Sequence, residues 1–110
     1  MKQVEAIVNG SKLDDVRISL GRAGVGGMTV SDVRGSGEGH SEVYRNAEHR
    51  VVLVPRVKVE IVVEDGRVPA LLEELVRAVR SGRVGDGKIF VLPVEDVVRI
   101  RTNERGRDAL

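Results

Sequence analysis

In "VKVEIVVE", Val57, Val59, Ile61 and Val63 alternate with Lys58, Glu60 and Val62, a period of two that predicts a strand with one strongly apolar face. "KQVEAIV" (residues 2–8) repeats the pattern with Val4, Ala6 and Val8, and "GMTVSDVRG" (27–35) predicts a further strand of modest hydrophobicity. The period changes in "RVPALLEELVRAVRSG". There Val68, Leu71, Leu72, Leu75, Val76 and Val79 recur at the i, i+3, i+4, i+7 spacing of an amphipathic helix. Pro69 is tolerated in a first turn and Gly82 can end the helix. "SKLDDVRISLGRAG" places Leu13, Val16 and Leu20 at helical spacing, opens on Ser11 and Asp14 in a capping relation, and stops near Gly24. "KIFVLPV" and "DVVRIRT" read as short closing strands. The order predicts an α+β, ferredoxin-like βαββαβ sandwich with an extra short C-terminal strand, one domain over residues 1–110 with both helices on one face of the sheet.

Between the second and third strands runs "SGEGHSEVYRNAEHRVVLV", close to 20 residues where a hairpin needs two to five. Its first part is rich in glycine and polar residues, and it holds both histidines and the only tyrosine. Loops of this length in a compact domain are binding devices more often than passive insertions. His40 and His49, with Glu38, Glu42 and Glu48 near them in sequence, match no compact ligand spacing, so no metal site is assigned.

"GRVGDGKIF" (82–90) fits the first seven positions of the phosphate-loop pattern G-x-x-x-x-G-K-[ST] and then puts Ile89 where a metal-holding hydroxyl belongs. A helix precedes it and a strand follows, the reverse of the nucleotide-hydrolase arrangement, and no hydroxyl follows Lys88 to hold magnesium, so the motif argues against that class. A phosphate cradle and an ordinary Gly-Asp-Gly turn both fit. Gly85 and Gly87 would let backbone N–H groups approach an anion, with Lys88 as the point charge. Arg99 and Arg101 in "RIRT", two apart on the expected strand, would present two guanidinium groups from one face and shift the balance toward a polyphosphate site.

Composition removes other classes. The formal net charge is +1, which leaves no basic field for nucleic acid, and Tyr44 and Phe90 are the only aromatics, too few for base stacking. There is no cysteine, hence no disulfide and no thiolate metal site. No apolar run approaches the roughly 20 residues that span a bilayer, and "MKQVEAIVNG" carries charges where a signal peptide is apolar, so a cytoplasmic location is expected. A small core on a short chain favours oligomerisation.

"SGRVGDGKIFV" and "VVRIRTNERG" resemble the nucleotide-binding half of the PII nitrogen-regulatory signalling proteins. "KLDDVR", "GMTV", "YRNAE" and "VKVEIVV" extend the likeness through nearly the whole chain in matching order. The resemblance implies a homotrimeric binding protein, not an enzyme, that holds ATP or ADP, with magnesium as an accompanying ion, in clefts between neighbours. It also implies that the long loop (36–54, the family's T-loop) docks on a target: a membrane transporter, a metabolic enzyme or a transcription regulator. Neither nucleic-acid binding nor membrane insertion is implied. Carried onto this chain, Gly85, Gly87, Lys88, Arg99 and Arg101 would meet the phosphates, Asp86 would belong to the same nucleotide site, and Gly35 and Gly37 would stand at the loop's root. Ile7, Thr29, Glu60 and Val62, with Gly27 and Met28, would line the adenosine end, and Tyr44, Arg45 and His49 would face the partner. Alternatives are a diverged relative sensing another small anion or a metal for a transport or carbon-uptake system, and, further off, an acylphosphatase-like enzyme of the same fold class.

The departures from the family pattern concentrate in the loop. Its root reads "GSGEGH", two residues shorter than the family's "GFGRQKGH", and lacks the glutamine that helps bind magnesium with 2-oxoglutarate. Arg56 stands for the lysine that grips the keto-acid, His49 for a tyrosine that some bacterial members uridylylate, and Asn46 for a glycine. "NGSKL" replaces "KPFKL" after the first strand. The phosphate-site residues are spared, so nucleotide binding without 2-oxoglutarate synergy is expected.

Overall fold

The computed structural model describes residues 1–37, 41–44 and 48–110, with the backbone alone for 41–44 and 48–51. The strands are β1 (Lys2–Val8), β2 (Thr29–Gly35), β3 (Ser41–Tyr44), β4 (Glu48–Val51), β5 (Val54–Val63) and β6 (Lys88–Pro93). The helices are α1 (Leu13–Arg22) and α2 (Val68–Val79). β2, β5, β1 and β6 form one antiparallel sheet in that order, which is the ferredoxin-like arrangement the sequence predicts.

The two most alternating stretches occupy the centre of the sheet. Val4 lies opposite Ile61, Ala6 opposite Val59 and Val8 opposite Val57, so every one of these side chains points to the helical face. All are buried, together with Val16 and Leu20 of α1 and Leu71, Leu75 and Val79 of α2. Each helix thus turns its apolar stripe onto the β1–β5 pair, and the two helices also pack on one another. The edge strand β6 contributes less: Ile89 is partly buried against the core, while Phe90 and Val91 are exposed.

Among the described residues, the opposite face carries no helix. In its middle the Lys58 ammonium lies 3.6 Å from a Glu5 carboxylate oxygen and 3.3 Å from Glu60, and the Gln3 amide donates to Glu60 at 3.3 Å. No helix among the described residues is long and apolar enough to cross a membrane.

Three local expectations change. Asn9, not Ser11, caps the entry to the first helix: its Oδ1 accepts from the Ser11 N–H at 3.0 Å and starts a 3₁₀ turn (Gly10–Lys12) ahead of α1. The long loop contains a second, two-stranded sheet, with Ser41 opposite Val51 and Tyr44 opposite Glu48. The strand expected over 96–102 is reduced to one bridge, Val98 to Arg105. The chain reverses there because the N–H groups of Thr102 and Asn103 return to the Arg99 carbonyl at 3.3 and 2.8 Å, with Asn103 at φ 61°. Asparagine tolerates that left-handed conformation, and a 3₁₀ turn (Gly106–Ala109) follows.

Leu75 is 2% exposed and sits at the centre of this packing. Leu75→Ala should lower stability by about 2–5 kcal/mol in urea unfolding, because the surrounding helix and sheet cannot collapse into the space. A loss below about 1 kcal/mol would show that the core is not organised around this residue.

Candidate functional site

The glycine loop after α2 is built from inside by Asp86. α2 stops when Arg80 turns extended, and Gly82, Gly85 and Gly87 follow with φ of 81°, 99° and 98°. Between them the Asp86 carboxylate accepts the Ser81 hydroxyl at 2.5 Å, the Ser81 N–H at 2.9 Å and the Gly82 N–H at 3.0 Å. The Ser81 oxygen in turn accepts the Arg83 N–H at 3.2 Å. These bonds, the Ser81 hydroxyl first, hold the Asp86 carboxyl below its ordinary range. Asp86 stood among the expected nucleotide-binding residues, and here its carboxylate braces the loop. Gly87 fixes the far side: a Cβ there would lie 1.9 Å from the Ile7 carbonyl oxygen. Only glycine permits both that φ and that approach.

Lys88 leaves this loop as the first residue of β6, opposite Ile7, with an exposed side chain. A cleft of about 430 Å³ opens beside it. Gly85, Gly87 and Lys88 form one wall, Gly35 and Gly37 at the root of the long loop another, and Arg56 and Arg83 add cationic side chains. The structure therefore gathers the glycine loop, Lys88, the loop root and Ile7, which had been assigned to the adenosine end. Arg83 escaped the sequence reading although it lies within the glycine motif itself. Nothing in the motif told which of its residues face the cleft.

A larger cleft, about 1050 Å³, lies at the other end of the sheet. Gly27, Met28 and Thr29 enter it from the start of β2, and Glu60 and Val62 from β5, with Thr29 directly opposite Glu60. Arg99 lines the same cleft. The two clefts lie near opposite ends of β1, Ile7 at one and Gln3 at the other. Four residue steps of strand separate those two, roughly 13 Å.

Arg99 and Arg101 do not share a strand face, because the chain turns between them. Arg99 points back along its own chain: Nη1 is 3.6 Å from Glu104 and Nη2 donates to the Leu110 carbonyl at 3.2 Å. Arg101 lies exposed in the turn. Arg67 and Arg107, also at this cleft, were not anticipated, since only the tertiary fold brings the start of α2 and the last 3₁₀ turn together. Arg67 donates to the Ala23 carbonyl, and Arg107 pairs with Glu64 at 2.6 Å. Of the expected partner-facing residues, Tyr44 ends β3 and His49 lies in β4, while the side chains of both, and Arg45 entirely, fall outside the described residues. Among the described residues no group of acidic or histidine side chains has the arrangement of a metal site.

Fold and site together define a ferredoxin-like domain with a long hairpin inserted between its second and third sheet strands and a glycine-lysine cleft at the hairpin's root. The family model "Nitrogen regulatory protein P-II" matches residues 1–104. Proteins of that name from Azospirillum brasilense and Microchaete diplosiphon are 50% and 52% identical, with the whole of both chains covered in each comparison. These alignments run over 112 residues, two more than this chain has. The crystal structure of Arabidopsis thaliana PII bound to citrate superposes with a TM-score of 0.82 at 43% identity, covering 99% of this chain and 91% of that one. The chain belongs to the P-II family of nitrogen regulatory proteins, which are signalling proteins and not enzymes.

The Asp86 brace gives a pH signature. Its folded carboxyl titrates below the ordinary 3.8, so it stabilises the fold above that value and loses the contribution as pH falls through the lower folded value. Asp86→Asn should be less stable than the parent at pH 7, with the difference closing below about pH 4. Urea midpoints for both proteins at pH 7 and pH 3 measure this, and a gap unchanged by pH would mean that the charge of Asp86 is immaterial.

Proposed function

We propose that the protein is a P-II signal transducer that binds ATP or ADP, with Mg²⁺ where triphosphate is bound, at clefts between neighbouring copies of a homotrimer, and passes the bound state to a target protein through residues 36–54. The observation that carries this reading is the separation of the two clefts. One end of the sheet offers Gly85, Gly87 and Lys88; the other offers Gly27, Thr29, Glu60 and Arg99. One chain cannot close both on a single small ligand, whereas a second copy can bring its Arg99 end against the first copy's Lys88 end. The helix-free face, with Lys58 between Glu5 and Glu60, is the face available for such an assembly.

The chemistry suits a polyphosphate. Backbone N–H groups of the glycine loop reach an anion without side-chain obstruction, Lys88 supplies a point charge, and Arg56 and Arg83 raise the local positive potential. The base would lie on aliphatic and backbone surface around Val62 and Thr29, since the chain has almost no aromatics to stack it. Gly35 and Gly37 line the same cleft as Lys88, so a terminal phosphate there would press on the root of the T-loop, and its absence in ADP would release it. Citrate in the Arabidopsis relative supports a family site adapted to small polyanions.

Calorimetry with ATP and ADP, and light scattering for the mass, test the reading. A three-chain mass and saturable ATP binding are expected; a monomer at micromolar concentration would reject it. Lys88→Ala and Arg101→Ala should each weaken ATP binding by about ten- to a hundredfold, as the loss of one charge-assisted bond implies. Unaltered affinity in both folded variants would dismiss the cradle.

The loop root supports a further expectation. The family's glutamine has no counterpart in "GSGEGH", and the Glu38 charge would repel a dicarboxylate at close range. Arg56 can pair with a carboxylate but cannot coordinate a cation. Little or no 2-oxoglutarate binding to the MgATP-loaded protein is expected, and saturation at micromolar 2-oxoglutarate would overturn this.

A further inference from the structure

The Glu60 carboxylate is held from two sides. Lys58, on the same strand, brings its ammonium to 3.3 Å from Oε1, and the Gln3 amide, reaching across from β1, donates to Oε2 at 3.3 Å. Lys58 is itself divided, because its ammonium also lies 3.6 Å from a carboxylate oxygen of Glu5, the residue directly opposite Glu60 on β1. Lys58 stands opposite Ile7, so its pull on Glu60 is directed away from the large cleft. Gln3 lies at the cleft's end of β1 and draws the second oxygen toward it. Gln3 and Glu60 line that cleft together with Thr29, which faces Glu60 from β2. Gln3, Lys58 and Glu60 are all half-buried.

We propose that Gln3 is a positioning residue for Glu60, which takes a hydrogen-bond donor from the nucleoside part of a bound nucleotide. The proposal rests on the nucleotide reading above and adds to it the group that sets selectivity at the nucleoside end. An ionised carboxylate is an acceptor only, and each of its oxygens has room for more than one donor. Lys58 and Gln3 occupy one position on each oxygen. What is left can receive a ligand's N–H or O–H and has nothing to offer a carbonyl. A nucleoside presents such a donor in two places, the exocyclic amine of adenine and the ribose hydroxyls. Without Gln3, Glu60 is tethered by Lys58 alone, on the side away from the cleft, and aiming it at a ligand costs side-chain entropy at the moment of binding. The Gln3 bond adds only modestly to folding stability, whereas a site built to receive a donor discriminates strongly against an analogue that lacks it. Its effect therefore belongs in selectivity.

The test is calorimetry on the full-length parent, on Gln3→Met, which keeps the length of the side chain without its donor, and on Gln3→Lys, which restores a donor. Each is titrated with ATP, with ITP, which lacks the exocyclic amine, and with the two ATP analogues that each lack one ribose hydroxyl. The parent should bind ATP more tightly than the analogue missing the donor that Glu60 receives. Gln3→Met should weaken ATP about three- to tenfold, as the loss of one neutral hydrogen bond implies, and leave that analogue's affinity unchanged. Gln3→Lys should keep most of the parent's preference. A preference that narrows against ITP assigns the amine, and one that narrows against a deoxy analogue assigns the ribose. Several results overturn the positioning role and leave the nucleotide site standing. These are equal weakening of all four ligands by Gln3→Met, unaltered ATP affinity in that variant, a preference lost as fully in Gln3→Lys as in Gln3→Met, or a parent that binds all four alike. Absence of ATP binding in all three proteins overturns both readings.

Discussion

The approach of Gly87 to the Ile7 carbonyl is the contact on which the site depends. A Cβ at this position would sit 1.9 Å from that oxygen, so the loop can lie against the end of β1 only because the residue has no side chain. β1 is a central strand, and its register is fixed by Val4, Ala6 and Val8 facing Ile61, Val59 and Val57 in the core. The position of the cradle is thereby set by hydrophobic burial a few ångströms away. Asp86 closes the other side of the loop with three hydrogen bonds. A backbone anion site needs this rigidity, because N–H groups that must first be organised give back in entropy what they gain from the anion.

The same strand register separates the two clefts. Antiparallel pairing of β1, β5 and β2 puts Ile7, Lys88 and Gly35 toward one end of the sheet, and Gln3, Glu60 and Thr29 toward the other. No side-chain rearrangement within one chain closes that distance. The helices cover only one face of the sheet, and the other carries Lys58 locked between two carboxylates. A face whose charges are already paired is less costly to bury against another copy than one with unmatched ions, since the desolvation of each ion is partly met within the chain.

Much of this was legible in the sequence, for a physical reason that also marks its limit. The strands and helices that form the core carry clean periodicity because burial demands it, and Val57 to Val63 or Val68 to Val79 could hardly read otherwise. "RIRT" misled for the complementary reason. Its residues have strand propensity, but few of its side chains enter the core, so local hydrogen bonds decide its path and Asn103 turns it back. The β3–β4 pairing was missed because four-residue strands offer too few periods to stand out. The bracing role of Asp86 went unread because a motif shows which residues travel together and not which way each one faces. Arg67 and Arg107 left no sequence signal at all, for their cleft exists only after the chain has folded.

Signalling asks for a different property from binding, and the two properties are laid out in different parts of the chain. The cradle is rigid because the core holds it, so a ligand there cannot report itself by deforming the loop that binds it. What can respond are the segments at the margins of the clefts. The T-loop root at Gly35 and Gly37 shares a cleft with Lys88, and residues 107–110 share one with Arg99. Gly35 and Gly37 contribute nothing to the buried core, so a shift of the loop root need not involve global unfolding. In an assembly that closes the Lys88 end of one copy on the Arg99 end of the next, both margins would meet the same ligand. The state of one ligand would then be written on the T-loop of the chain whose Lys88 holds it.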